Sequence, residues 1–271
     1  MSALPKKLNG HGGTEFYFRF LLLIGLVSFL GSQGATAQTI EQPSGTKQTT
    51  IPSMVPPVED NTIFTHILFD QFEGRTNGSD RAFRWDGQGW FGTDTNRLWV
   101  KSEGFFDGTR TSDGDVEALY DRPIPRLRYF DFQGGIREDL DSGPHRTWGV
   151  LGIEGLAPYF FEFAPTFYFR DGGHVAARIT GSYDLRITNR LIAQPELEMN
   201  FYNKRDPQRL IGAGLSDLDT GIRVRYEIRR KFAPYIGVAY TRKYGDTAML
   251  SRQVGEAVSA PRIIFGIRVW Y

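Results

Sequence analysis

The clearest pattern in the chain is an alternation of apolar and polar residues across positions 175–201. The odd positions hold no charged side chain, whereas the even positions include Arg178, Glu196 and Glu198. A period of two predicts β-strands with one apolar and one polar face. Because the apolar parity continues across the loop Thr188, Asn189 and Arg190, this segment is predicted to form a tight hairpin of two long strands.

The same alternation recurs at 222–229 and 232–240, and the chain ends with it at 263–271. The rule predicts about twelve strands, within a range of 10 to 14, centred near residues 70, 85, 100, 118, 133, 150, 163, 180, 196, 224, 238 and 266. A soluble β-sandwich also alternates, but its strands are shorter than the roughly 10 residues that a tilted strand needs to cross a bilayer. The pattern therefore favours an all-β fold, a closed antiparallel transmembrane β-barrel.

The predicted connections alternate in length. Those near 92–95, 121–127, 155–158, 188–190 and 229–231 are short, whereas those near 74–80, 106–113, 138–146, 203–216 and 243–259 are longer. Short inner turns and long outer loops are typical of barrels in the bacterial outer membrane. An even number of strands predicts that both termini face the periplasm, and the short connection near 170–174 departs from the pattern.

The N-terminal segment resembles a secretory signal. Lys6, Lys7 and Arg19 precede the apolar run 20–30, and Ala35-Thr36-Ala37 follows it. A transmembrane anchor is the alternative, but that run is about half of the roughly 20 residues that a spanning helix needs. We predict a signal peptide over 1–37, a flexible periplasmic leader over 38–62 that is rich in Thr, Gln, Pro and Ser, and a barrel over 63–271.

Composition narrows the chemistry. The chain has no cysteine, which excludes disulfides, thiolate metal sites and cysteine nucleophiles. Aromatic residues make up 14% and the mean hydropathy is −0.35, too polar for a bundle of membrane helices. Removing the signal peptide changes the formal charge from +1 to −1, so no basic footprint for nucleic acid exists. We expect a monomer surrounded by outer-membrane lipid.

Strand parity assigns a set of polar side chains to the barrel interior. The inward set comprises Lys101, Glu103, Glu117, Asp131, Gln133, Arg137, Glu162, Arg178, Asp184, Arg186, Gln194, Glu196, Glu198, Asn200, Arg223, Arg225, Glu227 and Arg268. One interpretation is a structural network of ion pairs that fills a narrow lumen. The other is that inward carboxylates bind or relay a cation, with Glu162, Glu196, Glu198 and Glu227 as candidate metal contacts.

Histidines provide further candidates. His145 and His174 fall in predicted outer loops, where they could share a surface metal, although isolated surface histidines are the commoner case. An outer-membrane hydrolase is a competing hypothesis, since Asp171 lies near His174 and Ser142 near His145, but neither spacing forces a catalytic arrangement. We therefore predict no enzyme. A narrow porin-like channel for another solute is a third hypothesis.

Long blocks of the chain resemble the copper resistance protein B family of outer-membrane barrels. They are LFDQFEGR at 68–75, WDGQGWFGTDTNRLWVKSEG at 85–104, GDVEALYDRPI at 114–124, GIEGLAPY at 152–159, ITNRLIAQPELEMN at 187–200 and RYEIRRKFAPYIGV at 225–238. The resemblance spans about residues 66–271. It implies a role in copper tolerance at the outer membrane, where the protein would bind or pass copper ions.

The resemblance also implies partners. The terminal strand Ile263 to Tyr271 ends in an aromatic residue and resembles the signature by which the barrel-assembly machinery recognises its clients. A periplasmic copper-handling protein is a further expected partner. Family members often carry a leader rich in Met, His and Asp, whereas residues 38–62 hold only Met54 and no histidine. Three alternatives follow: copper is handled in the lumen, the protein handles another cation, or it acts through a partner.

Overall fold

The computed structural model describes residues 62–78, 80–141 and 145–271, so the predicted signal peptide and nearly all of the predicted leader lie outside the described residues. The described part forms twelve long antiparallel strands. They are β1 (Phe64–Thr76), β2 (Arg81–Gly92), β3 (Arg97–Phe106), β4 (Thr111–Pro123), β5 (Phe130–Asp139), β6 (Thr147–Ala157), β7 (Phe161–Arg170), β8 (His174–Ser182, continued by Leu185–Arg186), β9 (Leu191–Tyr202), β10 (Gly214–Tyr226), β11 (Phe232–Lys243) and β12 (Ser259–Trp270).

The sheet closes on itself. Each strand pairs with its neighbours in the sequence, and β12 pairs with β1 from Leu68 opposite Trp270 to Thr76 opposite Ile263. Closure removes every free edge, so each strand has hydrogen-bonding partners on both sides, as a strand in a lipid bilayer requires. The predicted closed barrel is confirmed, and the β-sandwich alternative is wrong.

The two ends of the barrel differ in their connections. The terminal rim, which we define by Phe64 and Tyr271, carries the connections 93–96, 124–129, 158–160, 187–190 and 227–231. The opposite rim carries 77–80, 107–110, 140–146, 171–173, 203–213 and 244–258. The long loops predicted near 74–80 and 106–113 are instead four-residue turns, because β1 to β4 extend further than parity alone indicated.

The barrel buries charge and exposes apolar surface. Arg75, Asp115 and Asp121 on the inner wall are each at most 2% exposed, whereas Ile236 and Phe265 on the outer wall are 62% and 58% exposed. This inversion of the usual arrangement in water-soluble proteins is what a lipid-facing outer wall requires. It follows directly from the period-two alternation in the sequence.

The described residues include one α-helix, α1 (Gly245–Gln253), in the last long connection of the opposite rim. Three short 3-10 helices, at Pro158–Phe160, Asp171–Gly173 and Pro207–Arg209, lie in other connections. The Thr247 hydroxyl fixes α1 against the barrel by accepting a 2.8 Å hydrogen bond from the Gly212 amide and lying 3.0 Å from the Ser216 hydroxyl. Across the described ranges, no helix combines the length and the apolar character needed to span a membrane.

Candidate functional site

One side of the lumen holds a dense set of ion pairs. We call it the paired cluster and define it by Glu73, Arg75, Arg84, Glu196, Glu198, Asp219 and Arg223. Arg223 binds Glu73 at 2.9 Å and Glu196 at 2.7 Å, and Arg75 binds Asp219 at 2.7 Å. Since each carboxylate has an arginine in direct contact, the cost of burying these charges is largely offset.

The paired cluster joins strands that are not neighbours in the sheet. Glu73 lies on β1, whereas its partner Arg223 lies on β10, and Arg84 of β2 reaches Glu198 of β9 at 3.0 Å. The Tyr235 hydroxyl of β11 donates a further 2.9 Å hydrogen bond to Glu73. These contacts cross the lumen and hold opposite walls of the barrel together.

A second group of contacts bridges the lumen beside the paired cluster. Arg178 of β8 bonds Glu103 of β3, and its other nitrogen lies 3.1 Å from Asp115 of β4. Arg84 is shared between the two groups, because it also contacts Glu103 at 3.4 Å. We call Arg84, Glu103, Arg178 and Glu198 the lumen bridge, since together they close the interior at this level.

A cavity of about 410 Å³ lies next to the lumen bridge. Leu156, Glu162 and Ser182 belong to its wall and sit at strand ends on the terminal rim, so the cavity extends to that rim. Three cationic side chains line it, whereas its carboxylates number nine. Those carboxylates are Asp70, Asp86, Glu103, Asp115, Glu117, Glu154, Glu162, Glu196 and Glu198. The cavity wall is thus strongly acidic.

Two of these carboxylates have no direct partner. Among the residues that the structure describes, Asp86 and Glu117 make no ion pair or side-chain hydrogen bond. Glu162 has a neutral partner, the Ser182 hydroxyl, which donates a 2.7 Å hydrogen bond to it. These three side chains, which we call the unpaired carboxylates, present carboxyl groups to the cavity, and no cation of the described residues contacts them.

The inner wall also carries an apolar row that sequence parity did not predict. Trp99, Leu119, Val150, Tyr168 and Ala176 lie on β3, β4, β6, β7 and β8, and all are buried. Their aromatic rings also receive cations: Lys101 lies 5.3 Å from the Trp99 ring. The bulky side chains of this row narrow the lumen, and the faces of its aromatic rings attract cations. Inward positions were expected to be polar, but Trp99 is an inward aromatic residue. Aromatic side chains occur on both faces of a strand, so alternation does not assign them to one face.

The predicted site residues separate into two groups. Glu162, Glu196 and Glu198 line one cavity as predicted, but Glu196 and Glu198 are bound to arginines of the paired cluster. Glu227 lies one residue beyond β10, in the 227–231 connection at the terminal rim, and is not part of the cavity wall. Arg186, predicted to face inward, is exposed at the same rim. Glu227 departs from the prediction because it follows Tyr226, the last paired residue of β10. Arg186 still pairs with Ile192 and is exposed because it is the last residue of its strand.

The two predicted histidines lie at the opposite rim. His145 is exposed and has its Nδ1 atom 3.3 Å from a Glu138 oxygen. His174 is the first residue of β8 and lines a small cavity of about 30 Å³ with Arg146 and Asp206. Within residues 62–78, 80–141 and 145–271, no three histidine or carboxylate side chains converge in a geometry suited to hold a metal directly. A metal site at these residues therefore stays a prediction.

Asp86 is the site residue that sequence reasoning missed. It stands between Arg84 and Gln88 in an alternation that places all three on the inner wall. The alternation of Arg84, Asp86 and Gln88 indicates that they face inward. The segment is rich in aromatic residues and glycine, however, so its two faces differ little in polarity and the alternation is weak. Which inward acid lacks a partner depends on contacts across the lumen, and those require the closed barrel.

A protein-family model described as Copper resistance protein B precursor (CopB) matches residues 63–271, the whole barrel. The chain belongs to the copper resistance protein B family. Copper resistance protein B of Escherichia coli is 38% identical over 214 residues, covering 79% of this chain and 72% of the relative. The copper resistance protein B homolog of Pseudomonas syringae pv. tomato is 39% identical with the same coverage.

Solved structures with a similar shape include two porins. The KdgM porin is 14% identical, with a TM-score of 0.45, covering 75% of this chain and 98% of the porin. The NanC porin is 13% identical, with a TM-score of 0.48 and coverage of 76% and 99%. Membership of the family, together with the closed barrel, supports a role in copper resistance and a location in the outer membrane.

Proposed function

We propose that the barrel takes copper ions into its acidic lumen and thereby contributes to copper resistance at the outer membrane, without catalysing a reaction. The observation that carries the proposal is the cavity wall of nine carboxylates and three cations. We further propose that the terminal rim faces the periplasm, so that the cavity receives copper from that compartment.

Electrostatics supports uptake of a cation by this cavity. Even a monovalent ion about 6 Å from one carboxylate gains about 3 kcal/mol at an effective dielectric constant of about 20. Arg137, Arg223 and Arg268 lie outside the lining but contact Asp115, Glu196 and Asp70. The remaining excess is three carboxylates, each of which adds such a term. A cation is therefore concentrated in the cavity, and an anion is repelled.

The lumen bridge favours binding or controlled passage over free diffusion. Arg178 and Arg84 cross the interior between the cavity and the opposite rim, with Arg84 bonded to Glu198 at 3.0 Å. A solute of ordinary porin size would have to break these contacts. A copper ion that binds Glu103 or Glu198 would instead compete with the arginines for the same oxygens.

The direct test uses the full mature chain, purified in detergent and titrated with Cu(I), Cu(II) and Zn(II). We expect copper to bind at a stoichiometric site and to be displaced by competing chelator. In parallel, a host that lacks the gene should regain copper tolerance when the chain is expressed. Absence of copper binding, with no change in tolerance, would contradict the proposal. The assembly signal in β12 and a periplasmic copper-handling partner stay predictions.

A further inference from the structure

We infer that the unpaired carboxylates Asp86, Glu117 and Glu162 form a binding site for a hydrated divalent cation, which makes Cu(II), and not Cu(I), the form of copper that the lumen accepts. The inference rests on the proposed function and deepens it. It assigns the contact to residues outside the paired cluster, two of which sequence reasoning did not select as metal contacts.

Glu117 provides the strongest observation. Its residue is 5% exposed, and its Oε1 atom is buried with no hydrogen-bond partner in the described part of the chain. Its register neighbours on β3 and β5 are Lys101 and Arg137, which would be natural partners. Lys101 instead bonds Gln133 and Glu154, and Arg137 bonds Asp115 and Asp139.

A buried carboxylate oxygen without a donor is unfavourable unless something else solvates it. Glu117 lines the cavity, so the missing partner must come from the cavity. The surrounding cations are all committed to other acids, and the net charge of the wall is negative. A mobile cation with its water shell meets both needs, because its waters donate hydrogen bonds to the carboxylate.

Asp86 presents a similar situation two strands away, on β2. Its register neighbours are Gln71 on β1 and Glu103 on β3, neither of which carries a positive charge. The nearest arginine along its own strand, Arg84, is bound to Glu198 and Asp219 at 3.0 Å each. Asp86 and Glu117 are thus two acids on one cavity wall that the protein leaves without cations.

Glu162 extends the site toward the terminal rim. It is the second residue of β7, is exposed, and accepts its hydrogen bond from the neutral Ser182 hydroxyl. A cation arriving at that rim would meet Glu162 before the deeper Glu117. The three carboxylates therefore trace a path from the rim to the interior of the cavity.

The donor set and the space favour a hydrated divalent ion. The cavity lining contains carboxylate, amide and hydroxyl oxygens but no histidine or methionine, whereas Cu(I) prefers sulfur or imidazole. Six waters of hydration occupy about 180 Å³ at about 30 Å³ each, which a cavity of about 410 Å³ accommodates. Outer-sphere contact also explains why no three ligands converge among the described residues.

The test compares Glu117→Gln and Asp86→Asn with Asp94→Asn in the full mature chain in detergent. Asp94 is the control because it is an exposed acid of the 93–96 turn, outside the cavity lining. Calorimetric titration with Cu(II) should show affinity about tenfold weaker in each cavity variant, from loss of one charge contact, and unchanged in Asp94→Asn. Electron paramagnetic resonance with Mn(II) as a second probe should show an ion that keeps its water shell.

Three results would overturn the inference. They are an unchanged Cu(II) affinity in both cavity variants, a wild-type preference for Cu(I) over Cu(II), or loss of the water shell on binding. Each of them leaves the proposed function standing, provided that the wild-type chain binds copper. If the wild-type chain binds no copper in either oxidation state, the proposed function itself fails. Thermal unfolding of each variant, expected to stay at or above the wild-type temperature, separates lost binding from lost folding.

Discussion

The paired cluster and the unpaired carboxylates lie on the same inner wall and use the same acidic residue types, yet their surroundings differ. Glu73 is 0% exposed and is contacted by Arg75, Arg223 and Tyr235, whereas Glu117 is nearly as buried and its Oε1 atom has no hydrogen-bond partner among the described residues. Charge in the lumen is therefore not one feature but two. Where arginines match the acids, the charges hold the barrel together, and where they do not, the acids are available to a ligand.

The largest expected effect is on the paired cluster. Replacing Arg223 with Met leaves Glu196 without its arginine and Glu73 with Arg75 alone, and an uncompensated buried charge costs about 3–5 kcal/mol. We expect the free energy of unfolding, measured by urea titration in lipid vesicles, to fall by that amount. Arg126→Met, at an exposed turn of the terminal rim, is the control and should change little. Equal stability of the two variants would show that the cluster is not structural.

A smaller effect on stability and a new conductance are expected at the lumen bridge. Arg178→Met removes contacts to Glu103 and Asp115, and we expect about 2 kcal/mol of destabilisation, since Arg84 and Arg137 still reach those acids. The cavity should then communicate with the opposite rim. Single-channel recordings in planar bilayers should show a higher, cation-selective conductance than the wild-type barrel. A variant that conducts like the wild type would contradict the closing role assigned to Arg178.

A substitution among the unpaired carboxylates should change the free energy of unfolding in the opposite direction from one in the paired cluster. Glu117→Gln removes a buried charge that has no partner, so we expect the free energy of unfolding to stay unchanged or to rise by about 1 kcal/mol in metal-free buffer. The same urea titration measures it, beside Glu73→Gln in the paired cluster, which should be destabilised. If Glu117→Gln loses as much stability as Glu73→Gln, then Glu117 is a structural acid and the distinction fails.

Most of the fold could be predicted from the sequence, because a strand that separates lipid from lumen must alternate at every residue. The twelve strands and the inward direction of residues such as Arg223 follow from local parity. The barrel was predicted from the length of the strands and the alternation of short and long connections. The lengths of the first two loops of the opposite rim could not be predicted, because parity gives the face on which a residue lies but not the residue at which strand pairing ends.

The site was predicted only in outline. Parity placed Glu196 and Glu198 inside, and both line the cavity, but their arginine partners sit on strands far away in the sequence, such as Arg84 on β2. Which carboxylates are matched depends on barrel closure and on the stagger of the strands, and neither is encoded in any single segment. The sequence therefore selected bound acids as metal contacts and passed over Asp86.

The smallest expected effect concerns Asp141, in the 140–146 connection of the opposite rim. Burial, with the nearby charge of Asp113, raises the pKa of Asp141 from its usual value of 3.8 to about 7, although Arg209 contacts it and the Gly114 amide donates a 2.8 Å hydrogen bond to it. A native pKa above the unfolded one means that the folded state binds the proton more tightly. Its contribution to stability is therefore fully present below about pH 4 and is lost as the pH rises through about 7.

Replacing Asp141 with Asn should remove this dependence. We expect the difference in the free energy of unfolding between Asp141→Asn and the wild type to grow by at least about 1 kcal/mol in favour of the variant from pH 4 to pH 8, because the folded wild type holds the Asp141 proton more tightly than the unfolded chain does. Urea titrations at four pH values measure it, with Asp171→Asn as the control at a fully accessible acid of the same rim. If this difference in the free energy of unfolding stays constant or shrinks as the pH rises, the prediction is wrong. Asp141 would then behave like the acids of the paired cluster, because a carboxylate bound to an arginine stabilises the barrel when it is charged.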